Sequence, residues 1–515
     1  MSRSLIHRSL IHRSLASLLV GAALALAAMP AAQAETVTLR FVQTNDIDRM
    51  EDKDGQGGFA RLKTVLDRVR AEGPAFFIHA GDTISPSLLS GIDQGRHIIE
   101  ILNRMPPDVM VPGNHEFDFG ADVFRARMAE ARFDVVASNI READGSQPAH
   151  TMDHKIVEVD GIRVGFYGLT TETTRVLAKR SPISFASSLD TGRARARALR
   201  EMGADFVVAV AHTPLDIDMR LVRDGGTDLI LSGHDEHLLV FHDGRVALAE
   251  AQSQADHVVI TRIDIDKTAT GTGTGPGTGI TWQPRFEIVN TAGIAPDPEI
   301  AALVQSYTDR LGQDMSAVIG RTDTRLDTRR AAVRGGEAAF GNLVADAMRM
   351  AVDADVALIN GGGIRADRIY EPGMAMTRAD ILAELPFGNR TLKVEVTGAE
   401  LKAALENGLS GIEDLAGRFP QVSGLTARID PREAVGMRVL ELAVDGEPVE
   451  PTRIYTLATS DYLAAGGDGY AVLTAAEPVI NPSDAQLTAN QVIDYIAAAG
   501  TIAPAVEGRL TVSAP

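Results

Sequence analysis

The chain has 515 residues, of which 45% are hydrophobic and 23% charged, with a formal net charge of −19 and a pI of about 5.1. This is the composition of a globular protein long enough for more than one domain. Such an acidic chain repels nucleic-acid backbones and anionic membranes, which argues against a polynucleotide-binding protein. The sequence has no cysteine, so disulfides and thiolate zinc sites are excluded and any metal must be held by His, Asp, Glu or Asn.

Residues 1–34 have the pattern of a secretory signal peptide. Three arginines precede an apolar stretch from Leu15 to Met29, and the segment ends in AQA at Ala34. A basic start, a short apolar core and an A-x-A end are typical of a cleaved signal. A membrane anchor is the alternative, but it needs about 20 apolar residues. We expect cleavage near Ala34 and a soluble protein, periplasmic or secreted, without a membrane anchor.

The region from Thr36 to about Asn290 alternates between strand-like and helix-like runs. "GGFARLKTVLDRVRAEG" (57–73) has apolar residues at helical spacing and ends on Gly. Four short apolar runs each stop at a small or polar residue: "PAFFIHAGD", "DVMVPGNHE", "DFVVAVAHT" and "TDLILSGHDEH". This pattern is typical of buried strands in a layered α/β domain.

The Gly/Thr tract at 267–282 is interpreted as a hairpin tip, since strand-like sequence flanks it on both sides. A Pro-rich turn leading into an amphipathic helix marks a better domain boundary, and a second αβ pattern begins after about residue 320. We therefore predict a first domain over 35–294, a linker helix over 295–318 and a second domain over 319–515.

Polar side chains of metal-ligand type follow five of the predicted strands. A single segment of this kind is usually a turn, but five in succession are hard to explain as turns. Because residues that end neighbouring strands of one sheet lie close together, we expect one site beyond the end of a single sheet. Its candidate residues are Asp46, Asp48, Asp82, Asn114, His115, His212, His234 and Glu236.

These blocks resemble those of a known family. "TND" (44–46), "GD" (81–82), "GNHEFD" (113–118), "AHT" (211–213) and "GH" (233–234) are similar to the signatures of calcineurin-like metallophosphoesterases. "GGFARL" (57–62), "NGGGIR" (360–365), "FPQVSGL" (419–425) and "AAGGDGY" (464–470) narrow the resemblance to the exported 5′-nucleotidase / UDP-sugar hydrolase group. The resemblance implies an α/β fold: a four-layer α/β/β/α sandwich, then a smaller α+β nucleotide-binding domain, joined by a linker helix.

The resemblance also implies two divalent metal ions bridged by Asp82. One ion would be held further by Asn114, His212 and His234, and the other by Asp46, Asp48 and Glu236. Two ions suit phosphate ester cleavage because they activate a water and screen charge on the phosphoryl oxygens. His115 and Asp118 match the family's catalytic pair, in which Asp118 would orient the imidazole.

The substrate would bind the second domain. By resemblance, Arg334 and Arg365 would grip phosphate or carboxylate-like groups, and Asn360 would contact the base. Phe419 and Tyr462 would sandwich the base, and Asp468 would bind the ribose hydroxyls. Because the metal and substrate residues fall in different domains, we expect the domains to rotate about the linker and close for catalysis.

Two positions depart from the family pattern. Asp48 stands where the family usually has His, and Glu236 stands where it has His or Gln. Both changes put a carboxylate in the shell of the same ion, which favours Mn, Mg or Ca over Zn. We expect Glu236 to belong to the site and His237 either to lie behind the ligands or to turn away from the site, the alternative being that His237 bends in to restore an imidazole.

The sequence thus predicts a metal-dependent phosphoric ester hydrolase of the 5′-nucleotidase type, acting on small-molecule nucleotides as a monomer and on no nucleic acid polymer. Two alternatives stay open. One is a 2′,3′-cyclic-nucleotide phosphodiesterase with 3′-nucleotidase activity, since one fold hosts both chemistries. The other is a non-catalytic nucleotide-binding relative with an altered metal site.

Overall fold

A computed structural model describes residues 36–172, 174, 182–267 and 280–513. The predicted signal peptide and most of the Gly/Thr tract lie outside the described residues. We refer to residues 36–290 as the N-terminal half and to residues 318–513 as the C-terminal half.

The N-terminal half is built from thirteen strands, six α-helices and the short 3₁₀ helix His115–Phe117 within its described residues. The strands are β1 Thr36–Thr44, β2 Phe76–His79, β3 Val109–Met110, β4 Ile140–Arg141, β5 Lys155–Val159, β6 Ile162–Thr170, β7 Ser184–Phe185, β8 Phe206–His212, β9 Leu229–Ser232, β10 Leu238–His242, β11 Ala247–Ala251, β12 His257–Lys267 and β13 Ile280–Asn290. The helices are Phe59–Glu72, Ser90–Asp93, Arg96–Arg104, Ala121–Glu130, Ser188–Glu201 and Leu215–Asp224.

These elements form a four-layer α/β/β/α sandwich, as the resemblance implied. One sheet has the order β13-β12-β1-β2-β3 and the other β10-β11-β9-β8-β6-β5. A fully buried apolar core lies between the two sheets, with Phe41 contributed by the first and Phe166 by the second. The outer face of each sheet packs on helices. Phe59, in the helix Phe59–Glu72, packs on the first sheet, and Leu199, in the helix Ser188–Glu201, packs on the second. The strands β1, β2 and β3 are parallel, as are β6, β8 and β9.

The predicted helix at 57–73 forms over Phe59–Glu72 and ends at Gly73, and each of the four apolar runs contains a strand. The strands β12 and β13 pair antiparallel on either side of the Gly/Thr tract. The expectation of a single sheet was wrong. The strand ends that carry the candidate residues belong to two sheets that face each other.

The helix Pro298–Asp314 leads from one half to the other. It packs on the N-terminal half, because Ile300, Val304 and Tyr307 belong to the core beneath the first sheet. The Tyr307 ring lies 5.7 Å from that of His97, and its hydroxyl donates to Glu100. Among the described residues, no helix combines the length and the apolar character that a membrane crossing needs.

The C-terminal half mixes short sheets and helices around one core that includes Phe340, Leu358 and Leu457. Its central sheet has the order β20-β16-β24-β19-β25. The strands are β14 Val318–Thr322, β15 Leu326–Asp327, β16 Val356–Asn360, β17 Ile369–Tyr370, β18 Ala375–Thr377, β19 Thr391–Thr397, β20 Pro420–Ser423, β21 Leu425–Ile429, β22 Val439–Val444, β23 Glu447–Pro448, β24 Ile454–Ser460, β25 Glu477–Ile480, β26 Thr501–Ile502 and β27 Leu510–Val512. The helices are Arg330–Gly335, Ala339–Val352, Arg378–Glu384, Gly398–Leu409, Asp461–Ala464 and Thr488–Ala499.

Candidate metal centre and adjoining cavity

Four predicted ligands meet at the shared end of the two sheets, and we call them the ligand cluster: Asp82, Asn114, His212 and His234. The Nε2 atom of His212 and the Nδ1 atom of His234 each lie 3.0 Å from the Asn114 amide oxygen. His212 Nε2 also lies 2.9 Å from Asp82 Oδ2. The ligand atoms of Asp82, His212 and His234 all fall within 4.8 Å of one another, and all three residues are buried.

The hydrogen bonding of the ligand cluster fits a cation. His212 Nδ1 lies 2.8 Å from the Ala80 carbonyl, which can only accept, so Nδ1 carries a proton. In a neutral imidazole, Nε2 then presents a lone pair to the oxygens of Asp82 and Asn114. Within the described part of the chain, Asp82 Oδ2 is buried and has no hydrogen-bond partner. Lone pairs turned toward one another in a buried site need a positive charge between them, which a metal ion supplies or, without metal, a proton on His212 Nε2.

The second predicted ligand group lies beside this cluster but is less compact. Asp46 is buried, and its Oδ2 accepts the backbone N–H of His234 at 3.1 Å. Asp48 Oδ1 accepts from the Gln254 amide at 2.6 Å, and its Oδ2 lies 3.4 Å from the guanidinium of Arg390 in the C-terminal half. Glu236 is exposed, and its charge adds to the effect of burial in raising the pKa of Asp46.

The neighbours of Glu236 have other partners. Asp235 accepts the backbone N–H of Leu215 at 2.6 Å, so it caps the helix Leu215–Asp224. The side chain of His237 is 55% exposed, and its Nδ1 lies 3.8 Å from Glu250. His237 therefore faces Glu250 in this structure, as expected for a residue turned away from the ligand cluster.

Backbone geometry at the site is unusual. Asp46, Asp82, His234 and Glu236 all have positive φ, between 52° and 95°. Residues other than glycine seldom adopt this conformation, and it is concentrated at functional sites. The close approach of the two sheets also requires Gly233, where a Cβ would lie 2.6 Å from Asn45 Cβ and 2.9 Å from Asp46 Oδ2.

Two buried glutamates that the sequence analysis did not single out hold the site together. Glu116 accepts backbone N–H groups of Asp82 at 3.0 Å, Thr83 at 2.8 Å and Gly113 at 2.5 Å, so it fixes the loop that carries Asp82. Glu250 on β11 accepts the backbone N–H of His237 at 2.9 Å. Glu116 lies within the motif "GNHEFD", but a buried glutamate facing backbone donors has no periodic signature in sequence.

His115 and Asp118 form the predicted pair. His115 Nδ1 lies 2.7 Å from Asp118 Oδ2, and the His115 backbone N–H donates to Asp82 Oδ1 at 2.8 Å. The other ring nitrogen, Nε2, lies 2.5 Å from the Ser483 carbonyl of the C-terminal half. Burial opposes charge on His115, but Asp118 and Asp82 outweigh it and raise the pKa of His115 to about 10. His115 is therefore an imidazolium at neutral pH and can donate from both nitrogens.

Proton binding at the metal ligands leads to a prediction about metal affinity. Burial raises the pKa of Asp46 to about 8, and Asp82 and Asp46 overcome burial to raise the pKa of His212 to about 10. Without metal, both groups hold protons at pH 7, and a metal needs them deprotonated. We expect metal binding to release roughly one to two protons and to tighten as pH rises from 6 to 8.

Calorimetric titration of Mn²⁺ in two buffers with different ionisation enthalpies measures this release. Asp46→Asn is the matched variant, because it keeps the shape of the side chain but removes one titrating group. Its proton release should be smaller than that of the wild type. Equal heats in both buffers for the wild type would contradict the prediction.

A cavity of about 450 Å³ opens in the C-terminal half. Five of the six predicted substrate residues line it: Arg334, Asn360, Arg365, Tyr462 and Asp468. Asn360 donates to Asp468 Oδ2 at 2.7 Å and the Tyr462 hydroxyl to Asp468 Oδ1 at 3.0 Å. Burial and the neighbouring arginines Arg330 and Arg365 lower the pKa of Arg334, as expected for a cluster of cations that attracts an anion.

The sixth residue, Phe419, differs from the prediction. It is 1% exposed and belongs to the core of the C-terminal half, so it does not line the cavity. Phe387 does line it, with 59% of its surface exposed, and the Arg365 guanidinium lies 5.4 Å from its ring centre. Phe387 lies in the segment "LPFGN" (385–389), which also resembles the family, but only the structure shows that its ring is exposed and that of Phe419 is buried.

Comparisons with known proteins agree with this geometry. The family described as calcineurin-like phosphoesterase matches residues 39–237, and the 5′-nucleotidase C-terminal domain matches residues 318–475. The chain is 29% identical to a snake venom 5′-nucleotidase from Crotalus adamanteus, over 96% of this chain and 91% of the relative.

Two solved structures are similar over most of the chain. One is a 5′-nucleotidase precursor from Thermus thermophilus, with 27% identity, a TM-score of 0.53 and coverage of 92% of this chain and 99% of that one. The other, NAD nucleotidase from Haemophilus influenzae, shares the fold with a TM-score of 0.79 at 18% identity, covering 93% and 100%. Together, the two family matches and the similarity along nearly the whole chain show that this hydrolase belongs to the 5′-nucleotidase family of metallophosphoesterases.

Proposed function

We propose that the protein is an exported 5′-nucleotidase that cleaves nucleotide phosphate esters, with UDP-sugars as further candidate substrates. The observation that carries the proposal is the combination of a cation-binding cluster with a cavity of nucleoside size in the other half. Arg390 of the C-terminal half contacts Asp48, and its neighbour Asn389 lines the cavity. A nucleotide held in the cavity would therefore have its phosphate directed toward the ligand cluster.

The donor sets favour two divalent ions, one in the ligand cluster and one near Asp46, Asp48 and Glu236. When bound, such ions would supply Lewis acidity and an activated water for attack at phosphorus. The oxygen-rich second group favours Mn²⁺, Mg²⁺ or Ca²⁺ over Zn²⁺.

The protein's own side chains then position the ester and move a proton. His115, charged at neutral pH, gives up the contact of its Nε2 with the Ser483 carbonyl and donates instead to the leaving oxygen as the phosphorus–oxygen bond breaks, while Asp118 fixes its ring. In the cavity, Phe387 and Tyr462 offer aromatic surface to the base and Asp468 accepts from the sugar hydroxyls. The small-molecule substrate, the absence of a nucleic acid partner and a monomeric state are all parts of this proposal.

A substrate panel tests the function. Purified protein would be assayed with AMP, UDP-glucose and 2′,3′-cyclic AMP, each with Mn²⁺, Mg²⁺, Ca²⁺, Co²⁺ and Zn²⁺. Hydrolysis of AMP to adenosine and phosphate supports the proposal. Hydrolysis of the cyclic nucleotide alone would replace it with the phosphodiesterase, and nucleotide binding without turnover would indicate a binding protein. N-terminal sequencing of protein recovered outside the cytoplasm tests export and the cleavage point near Ala34.

The exposed ring of Phe387 yields a second prediction. Phe387→Ala should raise the KM for AMP about 5- to 150-fold, since stacking of a base on an aromatic ring contributes about 1–3 kcal/mol. The kcat should change much less, because the ring lies away from the reacting bond. Steady-state kinetics with AMP measure both values.

The matched control is Phe419→Leu, a change at the buried aromatic. It should lower the free energy of unfolding by about 1–2 kcal/mol and leave KM nearly unchanged. If the two variants showed the reverse pattern, Phe419 would be the base-binding residue and the assignment of Phe387 would be wrong.

A further inference from the structure

Arg390 connects the two functional regions of the protein. It directly follows Asn389, which lines the cavity, and directly precedes β19. Its backbone is fixed, since its carbonyl accepts the N–H of Asp461 at 2.9 Å and it forms an isolated bridge with Leu487. The guanidinium extends across the interface between the halves, where Nη2 lies 3.4 Å from Asp48 Oδ2.

The guanidinium is held loosely for a partly buried ion pair. Its second contact is a 3.3 Å hydrogen bond from Nη1 to the Pro482 carbonyl. Charged N–H···O bonds are usually about 2.7–2.9 Å long, so both contacts are long. Arginine has five N–H donors, and among the described residues these two acceptors are the ones in contact with Arg390. Arg390 therefore has N–H donors left that can bind a ligand.

Its position is next to the catalytic pair. The residue after Pro482 is Ser483, whose carbonyl lies 2.5 Å from His115 Nε2 and 3.4 Å from Asn114 Nδ2. One short turn thus contacts Arg390 on one side and His115 on the other. The side chains of Arg390 and Asp48 are 20% and 13% exposed, so water only weakly screens the ionic interactions of Arg390.

We propose that Arg390 is a positioning residue for the phosphoryl group, held ready by Asp48 until a substrate arrives. The proposal rests on the proposed function and adds a third arginine to Arg334 and Arg365. A phosphoryl dianion entering between the halves presents a planar pair of oxygens that suits the guanidinium fork better than its long contact with Asp48. Arg390 then moves to the phosphoryl oxygens, and Asp48 becomes available to a cation.

The test separates phosphate contacts from nucleoside contacts in the full-length, Mn²⁺-loaded protein. Arg390→Gln should raise the KM for AMP about tenfold or more and leave the Ki of adenosine, which lacks the phosphate, unchanged. Arg390→Lys should fall between the wild type and Arg390→Gln. Arg453→Gln is the matched control. Arg453 directly precedes β24, whereas Asp461 directly follows it, and the Arg453 guanidinium contacts the Tyr455 ring. This variant should change neither constant. An unchanged KM, or equal increases in KM and Ki, would overturn the proposal.

Binding of inorganic phosphate distinguishes this inference from the proposed function. Calorimetry should show phosphate binding at least about tenfold weaker in Arg390→Gln. If the wild type hydrolysed no nucleotide but this loss were seen, the proposed function would fall and the role of Arg390 would stand. If AMP were hydrolysed and phosphate binding were equal in both proteins, the inference alone would fall.

Discussion

Asp82→Asn is expected to lower kcat/KM for AMP by at least about a thousandfold, because it removes charge at the centre of the metal site. Asp82 Oδ2 lies 2.9 Å from His212 Nε2, and Oδ1 accepts the backbone N–H of His115 at 2.8 Å. His212 and His115 lower the pKa of Asp82 below its usual range against the effect of burial, so the carboxylate is charged. The neutral amide keeps the shape but cannot neutralise a cation, so metal content should fall as well.

The control is Asp235→Asn, an equivalent change three residues after the end of β9 in a side chain that caps a helix. An amide oxygen can still accept the Leu215 N–H, so activity should stay within about threefold of the wild type. Metal analysis and AMP kinetics compare the two variants. Near-normal activity of Asp82→Asn at full metal content would refute the assignment of the ligand cluster.

His115→Gln is expected to lower kcat for AMP by about 10²–10⁴-fold, the usual contribution of a general acid. The backbone N–H of residue 115 would still donate to Asp82, so the metal content and the KM should change little. Steady-state kinetics alongside metal analysis separate these effects. A fall in activity fully explained by lost metal would show that His115 only supports the ligand cluster.

The pH dependence of the wild type supplies an independent check of the same pair. With its pKa raised to about 10, His115 keeps its proton at neutral pH and loses it as pH rises through that value. Activity should therefore fall on the alkaline side. Asp118→Asn removes the carboxylate that raises this pKa, so the alkaline fall should move to lower pH. An alkaline limb at the same pH in both proteins would indicate another titrating group.

Much of the site could be predicted from the sequence because its residues directly follow apolar runs. His212 ends β8, Asp82 follows β2 and His234 follows β9, so strand prediction located all three. The prediction of one sheet was wrong, because periodicity within a strand carries no information on which strands pair. The two sheets meet through Asn45, which accepts from the Ala251 N–H at 2.9 Å, a contact between residues more than 200 positions apart.

The residues that line the cavity show a second limit of prediction from sequence. Phe419 and Phe387 both lie in motifs of the family, and sequence composition cannot distinguish a ring packed into the core from one facing solvent. Which ring can contact a base depends on its burial, and the burial of Phe419 depends on how it packs within the core of the C-terminal half. The pairing of Asp48 with Arg390 was also beyond the sequence, because it joins residues 342 positions apart across two halves.

The left-handed backbone at Asp46, Asp82, His234 and Glu236 limits how this centre can evolve. Valine, isoleucine and threonine are strongly disfavoured there because their branched side chains clash with the backbone. Gly, Asn, Asp and His adopt the geometry most readily, and Glu236 shows that an unbranched side chain can also adopt it. Engineers who wish to change the ion preferred by the enzyme therefore have a short list of replacements at these four positions. Chain conformation, as much as ligand chemistry, decides which metal sites this scaffold can reach by single mutations.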